Sequence, residues 1–249
     1  MTEFATYPSL KNEAVIVTGG ATGIGASIVE HFAAQGARVG FVDIDEEAGR
    51  ALATRSNATF LACDLRDIDA LRAAIAKLET AHGPTLALVN NAARDDRHTI
   101  EEVTPAYWDD RMATNLRHQF FGAQAVLPAM RKRKRGSIIN VGSISWRLAL
   151  GGMPAYVTAK AAVEGLTRGL ARDVGEDSIR VNSVIPGWIM TERQIKLWLT
   201  PESEADLMAK QCLKEKLYPP DVARMVLWLA ADDSRMATAQ SFVVDGGWA

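Results

Sequence analysis

Two cysteines, Cys63 and Cys212, are all that 249 residues carry. Two thiols cannot make the framework of bridges that holds small secreted domains together, which fits a reducing compartment. Histidine is nearly as scarce: His31, His82, His98 and His118 show no ligand spacing such as H-E-x-x-H, so no catalytic metal is expected. No apolar run reaches the ~20 residues that a membrane-spanning helix needs. The opening stretch MTEFATYPSLKNE lacks a basic segment followed by an apolar one, so no signal peptide is expected either. An excess of one charge is also missing. With 28 Lys and Arg against 30 Asp and Glu the net charge is −2, and no global field draws the chain to nucleic acid or to an anionic membrane. A cytoplasmic globular protein is the expectation.

What is present in quantity is apolar residue, 48% of the chain, enough for a large core. Short apolar runs at 14–19, 37–45, 58–64, 85–93, 137–141, 179–185 and 241–244 read as strands. Helical spacing fills 23–35, 45–55, 68–82, 104–134, 155–174 and 221–231, with Pro128 offering a break in the longest. Strands alternating with helices of this length imply crossover units and a parallel sheet covered on both faces. The expected architecture is therefore α/β: one doubly wound domain over 1–249, with about seven parallel strands. Residues 188–216 interrupt the alternation and carry Trp188, Leu197, Trp198, Leu199 and Met208. They read either as a lid over a binding site or as a pair of helices packed on the body.

The first strand runs into Thr18-Gly19-Gly20-Ala21-Thr22-Gly23-Ile24-Gly25, which opens a helix. Glycines at 19, 23 and 25 permit a tight turn and a close approach of backbone to a pyrophosphate, with the helix N-terminus supplying free N–H groups. Asp43 ends the second strand eighteen residues after Gly25, where a carboxylate can accept from ribose hydroxyls. A dinucleotide is the expected cofactor, and a Rossmann-type fold its frame.

Further on, Tyr156 and Lys160 stand four apart in a helical segment and so leave the same face. A free phenol, with a pKa of about 10, is a poor base at neutral pH, and a nearby ammonium would favour the phenolate. Ser143 lies thirteen residues before Tyr156, at the end of an apolar run, and offers a hydroxyl at the carboxyl end of the sheet. Hydroxyl, tunable phenol and lysine together suit proton transfer to or from a carbinol. The loops expected at that end hold Asp95, Arg97, Ser145 and Arg193 beside Trp146, Trp188 and Trp198. Polar groups next to aromatic planes suit a polyol better than a steroid or an acyl chain. The basic run Arg131 to Arg135 closes a helix, where it complements the helix dipole and gives little reason to expect nucleic acid.

In order along the chain, TGGATGIG, Asn90-Asn91-Ala92-Ala93, Asn115, Ser143, Tyr156, Lys160, Pro186-Gly187 and Asp245-Gly246-Gly247 resemble the motifs of the short-chain dehydrogenase/reductase family. Alanine at 93 departs from the family's NNAG. The resemblance implies a catalytic tetrad of Asn115, Ser143, Tyr156 and Lys160, with Asn115 holding a water and Lys160 also holding the nicotinamide ribose. It implies cofactor contacts from Gly19, Thr22, Gly23, Ile24, Gly25, Asp43, Asp64, Leu65, Asn91, Ala92, Tyr156, Lys160, Pro186, Gly187, Ile189 and Thr191. NAD is expected over NADP, because the Asp43 carboxylate would repel a 2′-phosphate. YPSLK, the loop Asp95 to His98, Tyr107-Trp108-Asp109, Asn115 to His118 and Gly142 to Trp146 look like the bacterial aldose 1-dehydrogenases of this family. Those enzymes oxidise a pentose or hexose, such as arabinose, xylose, galactose or fucose, at C1 to the lactone. Asp95, Ser145, Trp146, Trp188 and Arg193 are then the expected substrate contacts, and a homotetramer the family habit. A catalytically silent nucleotide-binding regulator and a reductase of keto or acyl substrates are the alternatives. The intact tetrad speaks against the first and Asp43 against the second.

Overall fold

Strand β1 (Ala14–Thr18) reads AVIVT and is buried at every position. Its side chains alternate between faces: Val15 and Val17 join one core cluster and Ile16 the other. That is why central strands of a parallel sheet read as continuous apolar runs rather than as alternation. The computed structural model describes residues 4–249. Beside β1 lie β2 (Arg38–Asp43), β3 (Thr59–Ala62), β4 (Thr85–Asn90), β5 (Gly136–Val141), β6 (Ile179–Pro186) and β7 (Ser241–Val244). Seven strands form one sheet in the order β3-β2-β1-β4-β5-β6-β7, with all pairs parallel.

Helices α1 (Gly23–Ala34), α2 (Glu46–Ser56) and α9 (Pro219–Ala230) cover one face through Ile28, Phe32, Leu52, Val226 and Leu229. Helices α3 (Ile68–His82), α5 (His118–Arg133) and α6 (Pro154–Val174) cover the other through Leu71, Ile75, Leu78, Val126, Met130 and Leu170. Because β1 sits between β2 and β4, the winding reverses there, and a crevice opens beyond the carboxyl ends of β1 and β4.

The helical stretch at 104–134 is two helices. α4 (Pro105–Met112) runs into a π-helical turn, Ala113–Arg117, before α5 begins. The interruption lies at Asn115, not at Pro128, which stays inside α5. Pro128 and Gln124, whose carbonyl loses its partner, are both exposed, so water satisfies the freed group. The 188–216 segment folds as two helices, α7 (Glu192–Trp198) and α8 (Pro201–Lys210), started by Thr191 and Thr200 as N-caps. A bridge between Ile189 and Leu217 clips its base to the body. The basic run is tied down: Arg133 and Arg135 hold Glu13 at 2.8 and 2.7 Å, and Arg131 and Lys134 hold Asp177 at 2.9 and 2.5 Å. Among the described residues no helix is long and apolar enough to cross a membrane, and no three or more His, Cys, Asp or Glu cluster to hold a metal ion.

Candidate active site

A cleft of about 1070 Å³ runs along the crevice, walled by the loops after β1, β2, β4, β5 and β6 and by α7. Its nucleotide half is built on close backbone contact. Gly19 has φ +64°, and a Cβ there would lie 2.6 Å from the Ala92 Cα. A Cβ on Gly25 would overlap the Gly19 carbonyl oxygen. Thr22, the N-cap residue of α1, makes no side-chain cap bond, so no capping oxygen occupies the first-turn N–H groups, as a pyrophosphate site requires. Asn91 braces the loop from the other side, its Nδ2 donating to the Gly19 carbonyl at 2.8 Å and the Thr18 carbonyl at 3.2 Å. This cradle, which side chains would fill, fits a dinucleotide.

Asp43 closes the far end. Its two oxygens accept from the N–H groups of Ala21 (2.9 Å) and Asp45 (3.1 Å), which fixes the carboxylate at the mouth of β2. Asp64 is gripped by Arg66, whose Nε and Nη2 lie 3.0 and 2.6 Å from its oxygens and hold its carboxyl below the usual range. The turn made by the Arg66 N–H on Asp64, 2.9 Å, brings the two heads together.

At the reaction end Ser143 caps a short 3₁₀ turn, Ile144–Trp146, by accepting from the Ser145 N–H at 3.1 Å, while α6 brings Tyr156 and Lys160 against it. Lys160 is buried and donates to the Val141 carbonyl at 2.7 Å; its Nζ stands 5.7 Å from the Tyr156 ring centroid. The net shift of the phenol runs opposite to the one that the ammonium alone would give. Burial, reinforced by the Asp95 carboxylate, pushes Tyr156 up to about 12, and hydrogen bonding by Ser143 with the charges of Arg97 and Arg193 offsets only part of it. Burial also pulls Lys160 down to about 7, so at neutral pH it carries only part of a charge.

That depressed lysine has a measurable consequence. Between about 7 and its ordinary value near 10.5 the unfolded chain keeps the Lys160 proton and the native one does not, so stability rises with pH. Below pH 7 both states are protonated and the gain is gone. Without nucleotide, denaturant unfolding of the parent relative to Lys160→Met should therefore improve from pH 7 to 9, with a slope approaching about 1.4 kcal/mol per pH unit. A difference that stays flat would mean that the lysine keeps its charge when buried.

Two expected site residues do not reach the cleft. Trp146 turns away, its Nε1 donating to Glu164 at 3.0 Å with Arg147 over its ring at 5.5 Å. In a turn of about three residues successive side chains point about 120° apart. Ser145 therefore lines the cleft and Trp146 cannot. Asn115 is fully buried: its Nδ2 donates to the Arg111 carbonyl at 3.0 Å and its Oδ1 accepts from the Arg94 N–H at 2.7 Å. Its side chain thus pins the start of the loop that carries Asp95. The remaining expected residues line the cleft. So do Arg97, Met153, Gln194, Trp198 and Trp248, of which Arg97 and Trp198 were legible as loop residues. Met153, Gln194 and Trp248 carried no signal beyond their neighbourhood. Asp95 gives one oxygen to Arg193 (2.6 Å) and the other to Gln194 (2.8 Å), so the two expected substrate contacts Asp95 and Arg193 hold each other.

A dinucleotide cradle joined to a Ser–Tyr–Lys floor on a doubly wound sheet defines the class. Residues 19–249 match the family model described as enoyl-(acyl carrier protein) reductase, and the chain belongs to the short-chain dehydrogenase/reductase family of oxidoreductases. It is 48% identical to a D-xylose 1-dehydrogenase of Caulobacter vibrioides (strain NA1000 / CB15N), over 98% of each chain. It is also 48% identical to a "Probable galactose dehydrogenase GalD" of Rhizobium meliloti (strain 1021), over 97% of this chain and 96% of that one. Among solved structures it is similar to a 3-oxoacyl-(acyl-carrier protein) reductase from Brucella melitensis ATCC 23457. That match has a TM-score of 0.90 and 30% identity, covering 99% of this chain and 97% of that one.

Proposed function

We propose that this protein oxidises the ring form of an aldose, a pentose or hexose, at C1 with NAD and releases the sugar lactone. The observation that carries the sugar is the polar lining of the reaction half of the cleft. Ser145, 3% exposed, leaves its Oγ without a protein partner, and so does the Nε1 of Trp198. Buried polar atoms without partners are costly, and a ligand rich in hydroxyls relieves them where an acyl chain would not. The sugar substrates in the names of two relatives at 48% identity support the same reading.

In this reading Tyr156, as phenolate, takes the proton from the C1 hydroxyl as the C1–H bond gives up its hydride and the carbonyl forms. Ser143 holds the reacting oxygen, and Lys160, lining the cleft one turn along α6, holds the nicotinamide ribose. NAD, when bound, supplies the hydride acceptor. Gly19, Gly23 and Gly25 admit its pyrophosphate, and Asp43 its adenosine ribose. The test is a scan of pentoses and hexoses with each cofactor, followed by lactone detection. Turnover of other alcohols or ketones with no aldose accepted would end the sugar reading.

The preference for NAD rests on what surrounds Asp43. Arg50 is paired with Glu46 at 2.8 Å and Arg55 with Glu30 at 2.9 Å, while Arg38 lies beside Gly83 at the opposite end of the sheet. Arg66 is shared between Asp64 and Asp110. None of these four arginines is therefore free to offset the repulsion of a 2′-phosphate by the carboxylate. Asp43→Ala should narrow the gap between the two cofactors by about tenfold or more, chiefly by improving NADP, since removing a like charge is worth at least about 1.4 kcal/mol. Catalytic efficiencies for both cofactors decide it; a parent enzyme that prefers NADP would overturn the assignment.

A homotetramer and a cytoplasmic location belong to the same proposal. An apolar groove lined by Met112, Leu116, Phe120, Phe121 and Leu166, with Phe120 41% exposed, supports self-association, and the two free cysteines support a reducing compartment. Sedimentation gives the mass of the assembly.

A further inference from the structure

Helix α7 is held over the cleft from the opposite wall, most closely by Asp95, with Asp96 at 3.3 Å from Arg193 Nη2 and Arg97 over the Trp198 ring at 5.1 Å as looser ties. Asp95, in the loop after β4, accepts from Arg193 Nη1 at 2.6 Å and from Gln194 Nε2 at 2.8 Å, so both its oxygens are spent on α7. Gln194 in turn accepts from the Trp188 Nε1 at 2.9 Å, which ties the base of the insertion into the same contact. The opposite wall is rigid. Asp96 accepts from Arg94 (2.9 Å) and from Arg111 of α4 (2.5 Å), and lies 3.3 Å from Arg193 Nη2. By contrast α7 contributes no buried residue to the core. A short helix without a buried anchor docks through its polar ties, and the element with the fewest buried contacts is the one that opens.

The same two charges face Tyr156. Around the phenol stand Asp95 and Arg97 from the loop after β4, Arg193 from α7, Ser143 from the loop after β5 and Lys160 one turn along α6. Behind Lys160 lies buried His118 of α5. Asp95 makes the phenol hold its proton, and Arg193 makes it release the proton.

We propose that Asp95 is the catch that holds α7 shut and that its ion pair with Arg193 couples closure to the readiness of Tyr156 as a base. With α7 docked, the guanidinium balances the carboxylate beside the phenol. With α7 lifted, the carboxylate stands alone and the proton stays on Tyr156. The base is armed when the cleft is covered, which keeps it from reacting before the substrate is enclosed. The proposal rests on Tyr156 as the base of the reading above.

The test uses neither sugar nor nucleotide, so its failure is separable from failure of the sugar reading. The tyrosinate absorbance of Tyr156 is read as the difference from Tyr156→Phe, at a fixed alkaline pH below the midpoint at which circular dichroism shows the fold intact. Arg193→Met should lower the signal by about threefold to tenfold, since a neighbouring charge shifts ionisation by about one pH unit, whereas Asp95→Asn removes the carboxylate and, by freeing α7, the guanidinium with it, and should stay near the parent. Arg193→Lys, which keeps the charge, should stay near the parent. The coupling appears in the double variant: with Asp95→Asn already in place α7 has lost its two short ties, and Arg193→Met should change the signal little. Cleavage by trypsin at Lys196, exposed on α7, should also be faster in Asp95→Asn than in the parent. Equal effects of Arg193→Met in both backgrounds would mean two independent charges on a fixed helix and would overturn the catch. Absence of any effect of the Arg193 variants would overturn the link to Tyr156, and because Arg193 is exposed those variants keep the test open if Asp95→Asn does not fold.

Discussion

Tyr156→Phe should lower turnover by about two to four orders of magnitude, the usual range for loss of a general base, while NAD affinity and stability stay close to the parent. The substitution removes one oxygen and almost no volume, so packing cannot account for a large loss. Lys160 bonds to the Val141 carbonyl rather than to the phenol, so the lysine stays in place when the hydroxyl goes. A loss confined to the chemical step lowers kcat and kcat/KM together. The measurement is steady-state kinetics beside a direct NAD titration. A variant that keeps more than about a tenth of parental turnover excludes Tyr156 as the base.

Activity of the parent should climb with pH across the alkaline range. The phenol sits at about 12, so at lower pH the fraction present as phenolate grows about tenfold per pH unit.

Gly25→Ala is expected to be damaging by a different route. Its Cβ would overlap the Gly19 carbonyl oxygen and lie 2.7 Å from the Asn91 Nδ2. Neither neighbour is the free end of a flexible side chain. One is loop backbone and the other is the amide that braces that loop. The first turn of α1 must therefore move off the glycine loop, and the N–H groups that would meet a pyrophosphate move with it. NAD affinity should fall at least tenfold, about 1.4 kcal/mol, with a stability loss of about 1–3 kcal/mol, as for overpacked sites. Gly169→Ala is the control. It lies in α6 with nothing within 4 Å of a Cβ, and should leave NAD affinity unchanged and stability slightly higher. If Gly25→Ala binds NAD as the control does, the cradle is not the pyrophosphate site.

The sheet was legible in the linear chain because its constraint is local. The central strands β1, β4, β5 and β6 are buried on both sides and must be largely apolar along their length, and several helices announce their start with a cap such as Asp45, Asp67 or Thr104. The glycine loop was legible for the same reason: its chemistry is backbone conformation, and backbone conformation is set by neighbours in sequence. Tyr156 and Lys160 were legible because helix geometry alone puts them on one face.

Tertiary structure decided the rest, wherever the answer lay in distance or solvent. That Trp146 faces Glu164 depends on a 3₁₀ turn meeting α6, and that Asn115 pins a loop depends on a π turn inside a stretch where periodicity offered a break only at Pro128. The direction of the Tyr156 and Lys160 shifts depends on how much water reaches them, and burial outweighed the pairing that the spacing suggests. Asp95 and Arg193 are ninety-eight residues apart, and no pattern along the chain joins them. Sequence fixes which groups are available through short-range sterics and periodicity; long-range packing fixes which of them meet, and electrostatics follows from the meeting.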